Sequence, residues 1–234
     1  MPQTETLEDV RRRGRERLYP SLANPNWLVL RKRRQIFSRW LRGVRANDLC
    51  VLDVGGRIQP YRPLLSGREG RYLAVDLRAT PLVDVVANAA QLPLAGEQFD
   101  LVLCTQMLEY SPHPGQVISE IWRVLKPGGI LLLSVPSLAI QDSDQDRWRF
   151  WPPGIHQLLA SFSRVEVVPE GGSVAGFLRS VNSGLHLLAR YRLARALVDY
   201  TIVPLLNLTG LGLEALVRSR NDAFAVNYSV LARK

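Results

Sequence analysis

The sequence predicts an α/β fold built on a doubly wound sheet, and two observations carry that expectation. Short apolar runs recur as LCVLDV (49–54), YLAVD (72–76), VDVVA (83–87), FDLVLC (99–104) and GILLLSV (129–135). Several are near-continuous rather than alternating, as in a parallel sheet covered by helices on both faces. Helix-like stretches lie between them, clearest at PGQVISEIWRVL (114–125). That stretch starts at Pro114, stripes Ile118, Ile121, Trp122 and Leu125, and stops at Pro127-Gly128-Gly129. Strand and helix signals alternating in this way build a doubly wound sheet.

In chain order, the 234 residues suit one domain with decorations. Residues 1–47 form a basic N-terminal arm, expected to be loosely structured over 1–24. From Asn26, WLVLRKRRQIFSRWLRGVR reads as a helix with Ile36, Phe37, Trp40, Leu41 and Val44 on one face and Arg34, Arg39, Arg42 and Arg45 on the other. Packing of that stripe on the main domain is the favoured reading, and rest on an anionic membrane is the sharper alternative. The α/β core spans 48–171. After its fifth strand come a polar and aromatic loop, SLAIQDSDQDRWRFWPP, a short helix, GIHQLLASF, and a strand, RVEVVPE. Residues 172–221 read as a helical insertion or lid with two or three helical stretches. Residues 222–234 close the core with the strand FAVNYSVLARK.

The net charge of +9 is unevenly placed. Residues 1–45 hold twelve Arg or Lys against four acids, a surplus of eight, while the other 189 residues are close to neutral. That distribution argues against a catalytic face built to grip nucleic acid and leaves a docking arm open. Cys50 and Cys104 sit in apolar runs without CxxC or His spacing, which points to reduced thiols and no metal site. The polar start MPQTETLEDVRRR is not a signal peptide, so a cytoplasmic location is expected, with peripheral contact at the inner membrane face as its extension.

Ligands of doubly wound sheets bind at the carboxyl ends of the strands, near the switch in strand order. Three candidates line up there. Asp53-Val54-Gly55-Gly56 ends the first strand. Asp76 ends the second, where a carboxylate accepts from both hydroxyls of a ribose. Asn88-Ala89 follows the third, where an amide and a backbone N–H suit an adenine edge. Singly, each has a plain structural reading as a cap, a strand end or a turn. Together, in order and at strand ends, they point to a nucleotide-like cofactor.

At these residues the sequence resembles the class I S-adenosylmethionine-dependent methyltransferases, and more narrowly their type 11 branch. The resemblance rests on Asp53-x-Gly55, on Asp76, and on the runs NAAQLPLAGEQFDLVLCTQMLEY and EIWRVLKPGGILLLSVP. It implies a Rossmann-like sheet of seven strands, the last antiparallel beside the fifth, with RVEVVPE and FAVNYSVLARK as the sixth and seventh. It implies S-adenosyl-L-methionine as cofactor. Carried over position by position, it gives Asp53, Gly55, Gly56, Arg57, Asp76, Leu77, Asn88, Ala89, Thr105 and Gln106 as cofactor-binding residues. It gives Glu109, Tyr110, Trp148 and Arg149 as acceptor-side residues.

The loop after the first strand departs from the family's Asp-x-Gly-x-Gly-x-Gly form, with Arg57 and Gln59 at the second and third glycines. IQPYRPLL is similar to a Pro-Tyr-Arg variant found in methyltransferases of bacterial surface-polysaccharide gene clusters, and DRWRF (146–150) echoes a stretch of theirs that borders the acceptor. A positive φ at Arg57 would cost about 1 kcal/mol. Its guanidinium would suit the carboxylate of the cofactor's methionine portion, or else turn to solvent.

Transfer of a methyl group to a hydroxyl needs alignment, exclusion of water and a base. Tyr110 stands where the family usually has His. That leaves His156, Asp146 and Tyr110 as candidates for the catalytic group, while His113 reads as part of the SPHPG turn and Asp142 and Asp144 as solvated. The uncharged run YTIVPLLNLTGLGL (200–213) is too short to span a bilayer and suits a lid, an acceptor pocket, a membrane contact or a homodimer contact. The expected acceptor is therefore a small molecule, glycan or lipid-linked compound, with O-methylation the expected reaction. The alternatives are a non-catalytic methyltransferase-like binding protein and an RNA methyltransferase that uses its basic arm.

Overall fold

The first strand, β1 (Leu49–Val54), is buried along almost its whole length, as its apolar run demands. It pairs in parallel with β2 (Glu69–Asp76) on one side and β4 (Phe99–Thr105) on the other. A computed structural model describes residues 5–44, 46–189, 192–217 and 222–234. The sheet has seven strands in the order β3-β2-β1-β4-β5-β7-β6, adding β3 (Val85–Val86), β5 (Leu125–Pro136), β6 (Arg164–Pro169) and β7 (Asn227–Arg233). The last strand, β7, runs antiparallel to β5 and β6, and the others pair in parallel. Strand order reverses between β1 and β4, so a crevice for a ligand opens at their carboxyl ends.

Strand boundaries differ from the expected ones for local reasons. The third strand shrinks to two residues because the Asp84 carboxylate takes the Ala74 N–H at 2.8 Å, replacing a ladder bond with a side chain. The fifth begins at Leu125 rather than 129. Gly128 adopts φ +76°, and Lys234 N donates to Gly129 O at 3.0 Å, so the PGG stretch continues the sheet margin instead of only ending a helix.

The two faces of the sheet are covered differently. Helices α3 (Pro114–Val124) and α4 (Pro152–Leu158) cover one face, where Val117, Ile118, Ile121 and Ile155 join a core with Leu52, Val102 and Leu133. The N-terminal segment covers the other. Helix α2 (Trp27–Gly43) buries Ile36, Phe37, Trp40 and Leu41 against Val51, Leu101, Leu103 and Leu132. Its apolar stripe thus belongs to the protein's own core.

Residues 7–18 correct the expectation of a loose start, for they form a helix, α1 (Leu7–Leu18). The Thr6 side chain accepts the Asp9 N–H at 3.2 Å, while Glu8 and Asp9 in the first turn and Arg15 and Arg17 in the last match the helix dipole. Only Val10, Gly14 and Leu18 are buried, a stripe one residue wide in a sea of arginine. That is too thin to read from pattern alone.

The insertion contains α5 (Ser173–Leu188), α6 (Arg192–Leu197) and α7 (Val203–Val217), the last two joined through a π-helical turn at Val198–Ile202. Asn207, fully buried, ties α7 to the N-terminal segment by donating to Leu22 O at 2.8 Å and Asn24 O at 3.1 Å.

Candidate active site

At the end of β1 the chain turns sharply over the sheet. Gly55 has φ +79°, and a Cβ there would lie 2.7 Å from Met107 Cγ, so only glycine fits between the loop and the end of β4. Gly55 N and Gly56 N both donate to Val75 O, which fixes the turn. Asp53 lies beneath it, buried, accepting from the Tyr72 hydroxyl at 2.6 Å. Burial pushes its carboxyl up to about 6, against the Tyr72 hydrogen bond and with help from nearby Asp76. It therefore braces the loop from below.

The backbone strain expected at Arg57 falls instead at Gln59, whose φ is +43°. A non-glycine residue in that region costs about 1 kcal/mol. Gln59 offsets it with its side chain: Nε2 donates to Leu82 O at 2.6 Å and Oε1 accepts from Arg62 Nη1 at 3.1 Å. Arg57 contributes its carbonyl, which accepts from Thr80 Oγ1 at 2.9 Å. The loop is thus stitched to the β2–β3 connection, and its third glycine is replaced by a glutamine that carries its own compensation.

Along the same edge, Asp76 accepts Arg78 N–H at 2.9 Å with one carboxylate oxygen, and Leu77 is exposed beside it. Asn88 accepts Ala90 N–H at 3.0 Å through its side-chain oxygen, an Asx turn that holds Asn88-Ala89 at the carboxyl end of β3. Thr105 ends β4, and Gln106 follows with φ +50°, its N–H on Ser134 O at 2.8 Å and its amide on Ser134 Oγ at 3.2 Å. These residues share one rim with the Gly55 turn.

The residues that follow β4, expected to face the acceptor, are more charged and more deeply buried. Glu109 is 3% exposed, and its Oε2 has no hydrogen-bond partner. Burial raises its carboxyl to about 7, although the cationic side chains of Arg17 and Arg33 pull the other way. The loop 137–151 folds against it: Arg147 N donates to Glu109 O at 2.9 Å, and Trp148 Nε1 to Ser111 O at 2.8 Å. Arg149 holds Asp146 in two bonds of 2.5 and 2.7 Å, which lowers the Asp146 carboxyl. The Tyr110 hydroxyl donates to Asp142, and burial raises it further from ionisation. His156 is exposed on α4, and His113 lies in the exposed turn before α3.

Sequence reasoning passed over a buried network behind this side. Arg33 projects inward from α2 to Glu170 at the end of β6, with Nε–Oε1 at 2.8 Å and Nη2–Oε2 at 2.7 Å. Glu170 Oε1 also accepts from Ser134 Oγ and Ser229 Oγ, both at 2.7 Å, and Arg33 Nη1 donates to Tyr61 at 3.2 Å. Burial alone would lower the guanidinium, but Glu170 and Tyr61 override it and keep Arg33 charged. Among the described residues no group of three His, Cys, Asp or Glu side chains is placed to hold a metal, and both cysteines are free thiols.

Residues 52–133 match a family described as "Methyltransferase domain". That stretch is a methyltransferase domain. It contains the Gly55 turn, Asp76, Asn88, Gln106 and Glu109, and S-adenosylmethionine is the cofactor that goes with it. Related proteins point the same way. A "Probable S-adenosylmethionine-dependent methyltransferase" of Mycolicibacterium smegmatis is 31% identical over 132 residues, 52% of this chain and 50% of that one. The "Malonyl-[acyl-carrier protein] O-methyltransferase 1" of Coxiella burnetii is 34% identical over 98 residues, 39% of this chain and 35% of that one. The chain therefore spans half or less of the length of these curated relatives. A solved structure, the "[4+2]-Cyclase SpnF", covers 100% of this chain and 98% of its own at a TM-score of 0.54 and 17% identity, which shows a shared fold. The methyltransferase domain ends before the helical insertion, so the fold around it sets no acceptor by itself.

Proposed function

We propose that the chain methylates a hydroxyl of a small-molecule acceptor, of the glycan or lipid-linked class, using S-adenosylmethionine. The observation that carries this reading is the Gly55 turn at the carboxyl end of β1, held at φ +79° with a Cβ excluded by Met107. The bound cofactor supplies a methyl group activated on a sulfonium. In this reading the Gly55-Gly56 backbone receives its amino-acid portion. The second oxygen of Asp76 takes the ribose hydroxyls, and the Asn88-Ala89 turn meets the adenine.

On the acceptor side, Glu109 is the base. It has a free oxygen and a carboxyl raised to about 7, so it is ionised in part near neutral pH and strong enough to take a hydroxyl proton. The acceptor oxygen would take the methyl group, and the bound cofactor would keep the electron pair of the bond that it gives up. The hydroxyl proton moves to Glu109 Oε2, and charge is balanced. His156 is too exposed for this task, and Asp146 is committed to Arg149. Arg179, deeply set beside the paired Arg149 and Asp146, is the nearby cation that suits an acceptor bearing an acidic group.

The test is transfer of a labelled methyl group from S-adenosylmethionine to separated glycan, glycolipid and polar extract fractions, with Gly55→Val as control. Label is expected in one fraction with wild type and in none with the variant. A folded, cofactor-binding protein that labels no fraction would return the chain to the binding-protein reading.

A further inference from the structure

The helical insertion presents a surface that the rest of the protein leaves uncovered. From Arg192 to Leu216 the chain runs as one continuous helix of 25 residues, about 37 Å long. Only 17% of its most apolar stretch is buried. Leu193 (87% exposed), Leu197, Tyr200 (76%), Leu205 (64%), Leu208 and Leu216 (80%) stand in solvent at helical spacings. Exposed large side chains in such a row are not normal for a solvated face.

Three features define what would cover it. First, the helix is fastened to the body on its other side. Val198, Val203 and Asn207 are buried, and Asn207, near the helix middle, spends its amide on Leu22 O and Asn24 O and accepts from Asn182 Nδ2 at 3.3 Å. A helix crossing a bilayer would break these bonds and leave that amide in hydrocarbon. Second, the charges sit at the ends. Residues 200–213 have none, whereas Arg190, Arg192, Arg195 and Asp199 precede them in sequence and Glu214, Arg218 and Arg220 follow, a surplus of basic residues on each side. Near the carboxyl end, Arg31 and Lys32 of α2 border a cleft of about 300 Å³ together with Leu211 and Ala215. Third, Glu214, an acid close to the stripe, is turned inward onto Gly172 N at 2.5 Å.

A second copy of the chain fits this pattern poorly. A basic surplus in the sequence on both sides of the run means that either orientation of two paired copies sets like charges together. An anionic bilayer surface satisfies both features at once, taking the leucines into the acyl boundary and the arginines at the headgroups. We propose that the α6–α7 helix is a peripheral docking face for an anionic membrane surface. The proposal stands apart from the reaction and is read without turnover.

The test is co-sedimentation of the full chain with vesicles of phosphatidylglycerol and phosphatidylethanolamine, against vesicles of phosphatidylcholine alone. Binding is expected to the anionic vesicles, to weaken as salt rises, and to be far weaker on phosphatidylcholine. Leu205→Glu with Leu208→Glu should lower it about tenfold or more, with the melting temperature and binding of S-adenosylhomocysteine unchanged. Leu193→Glu serves if that pair fails to fold. Arg192→Glu with Arg195→Glu should weaken anionic binding about tenfold and remove most of its salt dependence. Equal binding to both vesicle types, or none to either, overturns the proposal. So does protein that resists alkaline carbonate, which marks a spanning helix, or a dimer that the leucine variants split while vesicle binding stays absent.

Discussion

The two halves of the site are built in opposite ways. On the side proposed for the cofactor, between β1 and β3, backbone and short turns carry the load: Gly55 and Gly56 on Val75 O, Asn88 on Ala90, Gln59 on Leu82. On the side proposed for the acceptor, around the ends of β4 and β6, the groups are charged, buried and drawn from distant parts of the chain, as in Arg33–Glu170, 137 residues apart in sequence. The first half is local and tolerates substitution where a side chain can make up the geometry. The second depends on pairing, so removal of one partner leaves a buried charge alone.

The largest effect is expected where that pairing is broken. Arg33→Met should cost about 3–5 kcal/mol in urea unfolding, and Arg33→Met with Glu170→Met should recover much of it. A single variant as stable as wild type would erase the contrast between the halves.

Next comes Glu109→Gln, expected to lower the rate of methyl transfer about a hundredfold or more, while cofactor binding holds. In wild type the rate should rise with pH through about 7 as Glu109 ionises. Stability moves the other way. Glu109 is raised from 4.5 to about 7 in the folded chain, so the native state binds more protons than the unfolded one over that window, and stability falls as pH climbs through it. Asp53 adds the same sign between 3.8 and about 6. The glutamine variant should flatten the Glu109 part of this slope and melt higher than wild type at pH 8. Equal slopes for both proteins would show that Glu109 is not held protonated.

A middle-sized effect should come from Gly14→Ala. The added Cβ would fall 2.4 Å from Ile58 O, so α1 must lift off the cofactor loop, at about 1–3 kcal/mol, outweighing the gain of about 1 kcal/mol in helix propensity. A variant more stable than wild type by thermal melting would mean that α1 is not seated on the loop. The smallest effect belongs to Gln59→Gly. Relief of the positive φ and loss of two side-chain bonds should cancel to within about 1 kcal/mol, with cofactor affinity little changed.

This contrast also explains what could be read in the sequence. The sheet, the Gly55 turn, Asp76 and Asn88 were legible because each is a local pattern at a strand end. The Arg33–Glu170 pair was not, since one more arginine in WLVLRKRRQIFSRWLRG carries no mark of facing inward. Periodicity held a partial signal: Arg33 lies three residues before Ile36 and four before Phe37, on the buried face. Helix α1 was hidden for a related reason, its stripe of Val10, Gly14 and Leu18 being too sparse, though Thr6 with Glu8 and Asp9 marked its start. Glu109 was marked in the sequence by the family resemblance of its LEY turn. Its unpartnered oxygen became visible only once the loop 137–151 was folded against it.

The central claim is that the Gly55 turn is a working cofactor cradle despite Arg57 and Gln59. Titration calorimetry of the folded chain with S-adenosylhomocysteine tests it most directly. One molecule should bind per chain, and Gly55→Val, which sets a branched side chain against Met107, should abolish the heat while the protein stays folded. Absence of heat with wild-type protein of intact secondary structure would contradict the account.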